Sequence, residues 1–408
     1  MKKVRKVAIV GQGYVGLPLA ALTSNAGYLT IGIDTDQFKV IALKSGRSYI
    51  EDVADTDVQQ MLASGFYQPS SDYKLISGAD IVVFCLPTPV DNDNQPDLSI
   101  LLDAVNKASM HIGEGCVAIS ESTSYPGTLR NLIAPAIKAR AKHKVHLGVA
   151  PERVDPANNS FKPNQIPRLV SGLDSEAIKL VKEFYESLGM PVFTASTPEV
   201  AEAAKLLENT FRQVNIALVN EFAKVARALG IDVREVIEAA ATKPYGFMKF
   251  SPGPGVGGHC IPVDPHYLTW ISKKHGFDAS LVELANQINY EMPKYVTNRF
   301  AELFPDGISG KSILVAGIAY KHGVSDLRES PALKIIALLK DMGAEVFWFD
   351  PLIKEHKSEV SSNFDRNYDG ILVTLPNLEL PFGRWISSGV KVFDCTGFYR
   401  EFEGLHQL

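Results

Sequence analysis

Lys6-Val-Ala-Ile-Val-Gly11-Gln-Gly13-Tyr14-Val15-Gly16 decides the fold of the N-terminal third. Five residues with the composition of a buried strand run into Gly-x-Gly-x-x-Gly, and a helical stretch from Leu17 to Ala26 follows at once. The glycine triplet alone is a weak signal, but at the opening of a βαβ unit it marks a dinucleotide site. Gly11 permits the tight turn, Gly13 lets backbone meet a pyrophosphate, and Gly16 lets helix and strand pack closely. Tyr14 and Val15 complete the loop. Asp34 ends the next strand-like run, Leu29 to Ile33, where a carboxylate takes both ribose hydroxyls and repels a 2′-phosphate. That favours NAD over NADP, with Asp36 a nearby competitor for the role.

Working outward, Asp80 to Leu86, Val117 to Ser120 and Val145 to Val149 read as further buried parallel strands, with helical character at Ile100 to His111 between them. From Thr197 the period changes. Leu207, Phe211, Val214, Leu218, Phe222, Val225 and Leu229 recur at three and four, opened by Thr197-Pro198-Glu199 and closed by Gly230. One long helix is expected there, with more helices through about Leu303. Strand-like runs return at Ile313 to Ile318, Val346 to Asp350, Ile371 to Leu375 and Val392 to Cys395, with a helix at Pro331 to Met342. The expected architecture is α/β: two Rossmann-like doubly wound lobes joined by a helical central domain with one long spine helix, leaving a cleft between the lobes. The expected boundaries are 1–196 for the NAD-binding domain, 197–305 for the helical domain and 306–408 for the second lobe.

At 408 residues, two or three domains are expected. Hydrophobic content of 46%, charged content of 21% and net charge of −5 are those of a soluble globular protein with no basic nucleic-acid surface. No apolar run is long enough to span a bilayer, and the basic start lacks a signal peptide's apolar region. Cys85, Cys116, Cys260 and Cys395 have no paired spacing, and the nine histidines show no ligand pattern. The chain is therefore read as cytoplasmic, without a metal, a membrane or a nucleic-acid partner.

Gly253-Pro-Gly-Val-Gly257-Gly-His-Cys260-Ile-Pro262-Val-Asp264-Pro presents one cysteine at the end of a glycine-rich loop. A helix beginning at Pro262 would place Cys260 and Asp264 one turn apart, with its N-terminal dipole favouring a thiolate. A lone cysteine is usually a small buried hydrophobe, so the loop acquires its meaning from the rest of the chain.

The remaining landmarks fall in a fixed order. They are Phe84-Cys-Leu-Pro-Thr88-Pro, Glu121-Ser-Thr123-Ser-Tyr-Pro-Gly127-Thr, Ala150-Pro-Glu152-Arg153-Val, Lys205-Leu-Leu-Glu-Asn209-Thr, the Cys260 loop, and Ala319-Tyr-Lys321 with Asp326-Leu-Arg328-Glu-Ser-Pro331. In this order the chain resembles the UDP-glucose/GDP-mannose dehydrogenase family over nearly its full length. Gly-Gly-His259-Cys-Ile-Pro-Val263-Asp-Pro resembles the branch that oxidises UDP-N-acetylhexosamines. Thr242-Lys-Pro-Tyr-Gly-Phe-Met and Pro265-His-Tyr-Leu-Thr-Trp look most like UDP-N-acetylglucosamine 6-dehydrogenases, with the UDP-N-acetylmannosamine and UDP-N-acetylgalactosamine enzymes close relatives.

The resemblance implies oxidation of a sugar C6 alcohol to a carboxylate with two NAD, through a thiohemiacetal and a thioester on Cys260. Lys205 and Asn209, four apart on one helix face, suit an alkoxide forming at C6. Asp264 is read as orienting Cys260 or a water, or as general base. Glu152 matches the glutamate assigned to the hydrolytic water, and Thr123 a residue that positions it; Thr88 and Thr123 join the cofactor loops. Arg153, Gly257, Lys321 and Arg328 are expected on the substrate side, the last two offering charge to the pyrophosphate. UDP-glucose enzymes carry an arginine sixteen residues before the cysteine; here that position is Pro244, beside Lys243. The resemblance also implies a homodimer or larger homo-oligomer and a place in surface polysaccharide biosynthesis. The competing readings are a two-electron hydroxyacid-type dehydrogenase, which has no need of Cys260, and an NAD or redox sensor with a reactive thiol.

Overall fold

The computed structural model describes residues 5–153 and 165–408. Its chain divides into two compact units, one of Met1–Glu208 with His266–Gly276, the other of Asn209–Pro265 with Phe277–Leu408.

The first unit is built on one eight-stranded sheet. Its strands are β1 (Lys6–Val10), β2 (Leu29–Ile33), β3 (Tyr67–Ser70), β4 (Ile81–Phe84), β5 (Val117–Ser120), β6 (His146–Val149), β7 (Arg168–Gly172) and β8 (Val192–Thr194), in the order β3-β2-β1-β4-β5-β6-β7-β8. Every pairing is parallel except β6 with β7, a reversal that the expected all-parallel reading did not contain. Its helices are α1 (Gly16–Asn25), α2 (Gln37–Lys44), α3 (Asp55–Ala63), α4 (Ser99–Ser109), α5 (Ala134–Lys138) and α6 (Ser175–Ser187). Val7, Ile9, Leu17, Ile119, Val170, Phe184 and Tyr185 meet in one core. The strands are apolar almost throughout because both faces of a parallel sheet are covered.

Helix α7 (Pro198–Leu229) runs 32 residues without a break and stops at Gly230, whose φ of +70° a side chain would resist. Then come α8 (Val233–Ala241), α9 (Asp264–Lys274) and α10 (Ser280–Ala301). Helix α9 starts two residues later than Pro262 predicted. Ile261 to Val263 form a turn whose bonds close back on Cys260, so the helical register begins at the cysteine although the regular helix does not.

The second unit holds a five-stranded parallel sheet of β9 (Ser312–Ala316), β10 (Glu345–Phe349), β13 (Gly370–Val373), β14 (Lys391–Asp394) and β15 (His406–Gln407), in the order β10-β9-β13-β14-β15. A short hairpin, β11 (Glu355–His356) with β12 (Glu359–Val360), and helices α11 (Pro331–Asp341) and α12 (Phe382–Ser387) complete it. Phe300 of α10 is fully buried against Ile313, Leu314, Ile335, Leu372 and Phe393. Truncating such a phenylalanine costs about 3–5 kcal/mol.

Candidate active site

In the first unit the expected residues sit where parallel strands end, the edge at which open α/β sheets bind ligands. Gly11 leaves β1 with φ +94° and donates its N–H to Ile33 O at 2.7 Å. A Cβ there would lie 2.2 Å from Cys85 O, and one on Gly16 would lie 1.8 Å from Gly11 O. Gly13 differs: nothing stands within 4 Å of its would-be Cβ, leaving an open face for a pyrophosphate. Asp34, at the end of β2, accepts from Gln12 N at 2.9 Å and faces Lys39 Nζ at 3.3 Å. Asp36 is engaged locally, capping α2 through Phe38 N at 2.9 Å. The two carboxylates are thereby distinguished. Asp34 is joined to the glycine loop and Asp36 to a helix start. These residues fit a dinucleotide.

Thr88 follows β4 and Thr123 follows β5, and Thr88 Oγ1 donates to Thr123 O at 2.7 Å. Tyr14 donates to Glu51 at 3.3 Å. Val15 is half-buried at the start of α1. The hydroxyl of Tyr267, from α9, donates to Thr88 O at 3.0 Å and Pro89 O at 3.2 Å. These bonds tie α9 to the loop after β4.

Glu152 follows β6 and enters a charge cluster that sequence reasoning missed. Arg168 donates through Nη1 to Glu152 Oε2 at 2.7 Å, while Glu152 Oε1 accepts from Arg153 N at 2.7 Å. The same Nη1 lies 3.9 Å from Glu121 Oε2, and the other Glu121 oxygen accepts from the Tyr185 hydroxyl. Cys85 Sγ donates to Glu121 at 3.7 Å, and the Arg168 guanidinium lies 4.9 Å from the centre of the Tyr185 ring. Side-chain exposure is 5% for Arg168 and 14% for Glu152. Burial pushes the Glu121 carboxyl up to about 7, with Arg168 opposing and Glu152 adding to the rise. Burial likewise raises the Cys85 thiol well above its usual range. Arg153 pairs with Glu208 at 2.7 Å and donates to Pro167 O at 2.8 Å.

Lys205 is a buried lysine, 8% exposed, on α7. Asn209 lies one turn on, in the second unit's part of the helix. There Asn209 Nδ2 donates to Asp264 Oδ2 at 2.5 Å, and Asp264 is 3% exposed. Asp264 N in turn donates to Cys260 O at 2.8 Å, so amide, carboxylate and cysteine form a connected set. Cys260 is half-buried, with Sγ 3.9 Å from His259 Nδ1. The Cys260 loop is clamped upstream. Gly258 N donates to Arg328 O at 2.9 Å, and Cβ atoms on Gly257 and Gly258 would lie 2.7 and 2.8 Å from Tyr320. Tyr320 therefore packs on the loop.

Lys321 is half-buried and Arg328 exposed. Arg328 makes a two-pronged pair with Asp326, Nε at 2.9 Å from Oδ2 and 3.0 Å from Oδ1. Burial opposes ionisation of Asp326, but these bonds hold its carboxyl below the usual range. The second sheet repeats the geometry of the first with a different outcome. Gly317 N donates to Phe349 O at 2.7 Å, and Asp350, at the end of β10, accepts from Ile318 N at 2.9 Å and Ala319 N at 3.0 Å. Asp350 is 1% exposed, so this acid serves the backbone and faces no ribose.

Besides the Arg168 cluster, sequence reasoning missed Gln12 and Glu202. Gln12 is fully buried beneath the glycine loop, donating to Ile9 O at 3.0 Å and accepting from Tyr67 at 2.8 Å. Glu202, on α7, accepts from Gly127 N at 2.6 Å and Leu129 N at 2.9 Å. Burial pushes its carboxyl up to about 7, against those two amide bonds. In sequence Gln12 is a variable position of the glycine fingerprint and Glu202 one more polar residue of a long helix, and only the tertiary partner gives each a role.

Three domains of the UDP-glucose/GDP-mannose dehydrogenase family match in succession: the NAD binding domain over residues 5–189, the central domain over 199–301 and the UDP binding domain over 314–378. A UDP-N-acetyl-D-mannosamine dehydrogenase of Methanococcus aeolicus is 36% identical over 87% of this chain and 80% of its own. A UDP-N-acetyl-D-glucosamine 6-dehydrogenase of Pseudomonas aeruginosa is 31% identical over 92% of this chain and 91% of its own. Among solved structures, a UDP-D-ManNAc dehydrogenase from Pyrococcus horikoshii superposes with a TM-score of 0.89, at 29% identity and 98% coverage of both chains.

Proposed function

Because the chain belongs to the UDP-glucose/GDP-mannose dehydrogenase family, whose NAD binding domain it carries, we propose that it oxidises the C6 alcohol of a UDP-N-acetylhexosamine to the uronic acid. UDP-GlcNAc is the favoured substrate, on the segments Thr242 to Met248 and Pro265 to Trp270. A second reading, UDP-ManNAc, is supported by the name of the relative at 36% identity. The 31%-identical relative bears the GlcNAc name, so both sugars enter the test.

The observation that carries the proposal is that the Asn209 amide holds the buried Asp264 carboxylate, while the Asp264 backbone N–H bonds the carbonyl of Cys260 one turn earlier. NAD, when bound, takes a hydride in each of two successive oxidations. Lys205 and Asn209 steady the C6 oxygen while Asp264, as general base, takes its proton. The Cys260 sulfur adds to the aldehyde carbon, giving a thiohemiacetal that the second oxidation converts to a thioester. Water then forms the C–O bond, the C–S bond breaks, and the carboxylate leaves as Cys260 regains its proton. Glu152 takes the proton from that water, with Thr123 helping to position it. Asp34 holds the adenosine ribose, with Gly11, Gly13, Tyr14, Val15, Gly16 and Thr88 around the dinucleotide. Arg153, Gly257, Lys321 and Arg328 serve the nucleotide sugar.

The proposal extends to a three-part organisation at 1–196, 197–305 and 306–408, to a cytoplasmic home and to a homodimer. Leu207, Leu218 and Leu229 of α7 are each at least 60% exposed, and Phe211 and Val225 continue the same apolar stripe. The deciding experiment is NADH yield at limiting UDP-GlcNAc, UDP-ManNAc, UDP-GalNAc and UDP-glucose. Two NADH per molecule of one N-acetyl sugar is expected. One NADH per sugar would favour the two-electron reading, and none, with NAD still bound, the sensor reading.

A further inference from the structure

The parallel order of the first sheet breaks at β7, and β7 opens with Arg168, an arginine buried among two carboxylates, a tyrosine and a thiol. An arginine in such surroundings is retained only where its charge is fully compensated. Here one guanidinium nitrogen is shared between Glu152 at 2.7 Å and Glu121 at 3.9 Å. Glu121 is anchored from the far side by Tyr185, so Arg168 has little freedom to leave Glu152. Glu152 is the more accessible carboxylate of the two, 14% exposed against 0% for Glu121, and Arg168 and Arg153 N fix one oxygen each.

We propose that Arg168 is a positioning residue for thioester hydrolysis, holding the Glu152 carboxylate oriented and ionised to receive the proton of the attacking water. The inference rests on the thioester reading above. In the step itself, Glu152 takes one water proton as the water oxygen bonds to the acyl carbon. The C–S bond then breaks and the proton passes to the Cys260 sulfur. Arg168 touches none of the reacting atoms. Among the described residues, the charged and titratable groups facing this device include Arg168 from β7, Glu121 after β5, Cys85 after β4, Tyr185 from α6, and the Arg153–Glu208 pair reaching to α7.

The expected signature of Arg168→Met is selective. The first turnover still releases NADH, but acyl-enzyme persists at least tenfold longer, seen as the added mass of the uronoyl group after acid quench. The acid limb of deacylation moves up by about one pH unit, because a carboxylate that loses its cation protonates more easily. Arg168→Lys keeps the charge and restores the limb, with hydrolysis slowed less. If Arg168→Met fails to fold, the pair Arg168→Met with Glu121→Gln removes the buried cation together with its second carboxyl partner and carries the same prediction. Deacylation at the wild-type rate with an unmoved limb overturns the proposal. Glu152→Gln, run alongside, separates the two failures: trapped acyl-enzyme there upholds the thioester reading whatever Arg168 does, and its absence with a single NADH per sugar refutes that reading itself.

Discussion

The side-chain amide of Asn209 donates to the carboxylate of Asp264 across 2.5 Å, tying the long helix to the first residue of the helix that follows Cys260. A buried carboxylate that loses such a donor loses both orientation and part of the stabilisation of its charge. Asn209→Ala is expected to lower kcat about tenfold or more with little change in NAD binding. Asn209→Asp, which sets two carboxylates against each other, should lower it further and move the acid limb of kcat upward. Unchanged kcat in both would remove this pair from the reaction.

Asp34 offers a test of cofactor choice. Its carboxylate is held by Gln12 N and Lys39, at the end of β2. Asp34→Ala is expected to raise KM for NAD by about tenfold or more, the scale of a charged hydrogen bond. It should also narrow the preference over NADP, because the repulsion of a 2′-phosphate goes with the charge. Steady-state kinetics with both cofactors decide it, and an unaltered ratio would shift attention to Asp36.

Gly258 has φ +85° and a would-be Cβ 2.8 Å from the Tyr320 ring. Gly258→Ala is expected to cost about 1–3 kcal/mol in backbone strain, before any steric contribution. A lower melting temperature and a lower kcat should appear together, since the same loop carries Cys260. Adding Tyr320→Ala should relieve the steric part alone. An Ala variant with wild-type melting and turnover would contradict the clamp.

Two buried carboxyls set the sign of a pH effect on stability. Glu121 and Glu202 are both pushed up to about 7 in the folded chain, above their unfolded value of 4.5. The native state therefore binds more protons than the unfolded state between those values. Their contribution is fully present below about pH 4.5 and is lost as pH rises through 7, on the order of a few kcal/mol at most. Thermal unfolding followed from pH 5 to 8 should show a falling midpoint, and Glu121→Gln and Glu202→Gln should each flatten the slope. A midpoint that rises over this window in the wild type, with no change in the variants, would count against both shifts.

Outside β3, β8 and β15, which were not read as strands, the two sheets were legible because their strands are short apolar runs, a pattern that buried parallel strands impose. The start of β7 was not, because a strand opening on arginine after Pro167 reads as a polar connection until its carboxylate partners are placed around it. Gln12 was passed over for the same reason, as a polar residue inside a glycine fingerprint whose bonds run beneath the loop. The start of α9 shifted because proline marks a first turn well but does not say whether that turn is regular helix. Lys6 to Gly11 and Lys311 to Gly317 share a pattern of lysine, apolar strand and glycine that the sequence displays. The divergence in what Asp34 and Asp350 do was not visible there, since both end a strand and only their surroundings differ.

Glu202 brings its carboxyl to the amides of Gly127 and Leu129, the sort of paired donors that commonly cradle phosphate. That berth is filled from within before any ligand arrives. With both amides satisfied by the carboxyl, the turn from Gly127 to Leu129 is fastened to α7 and needs neither water nor ligand to complete these hydrogen bonds.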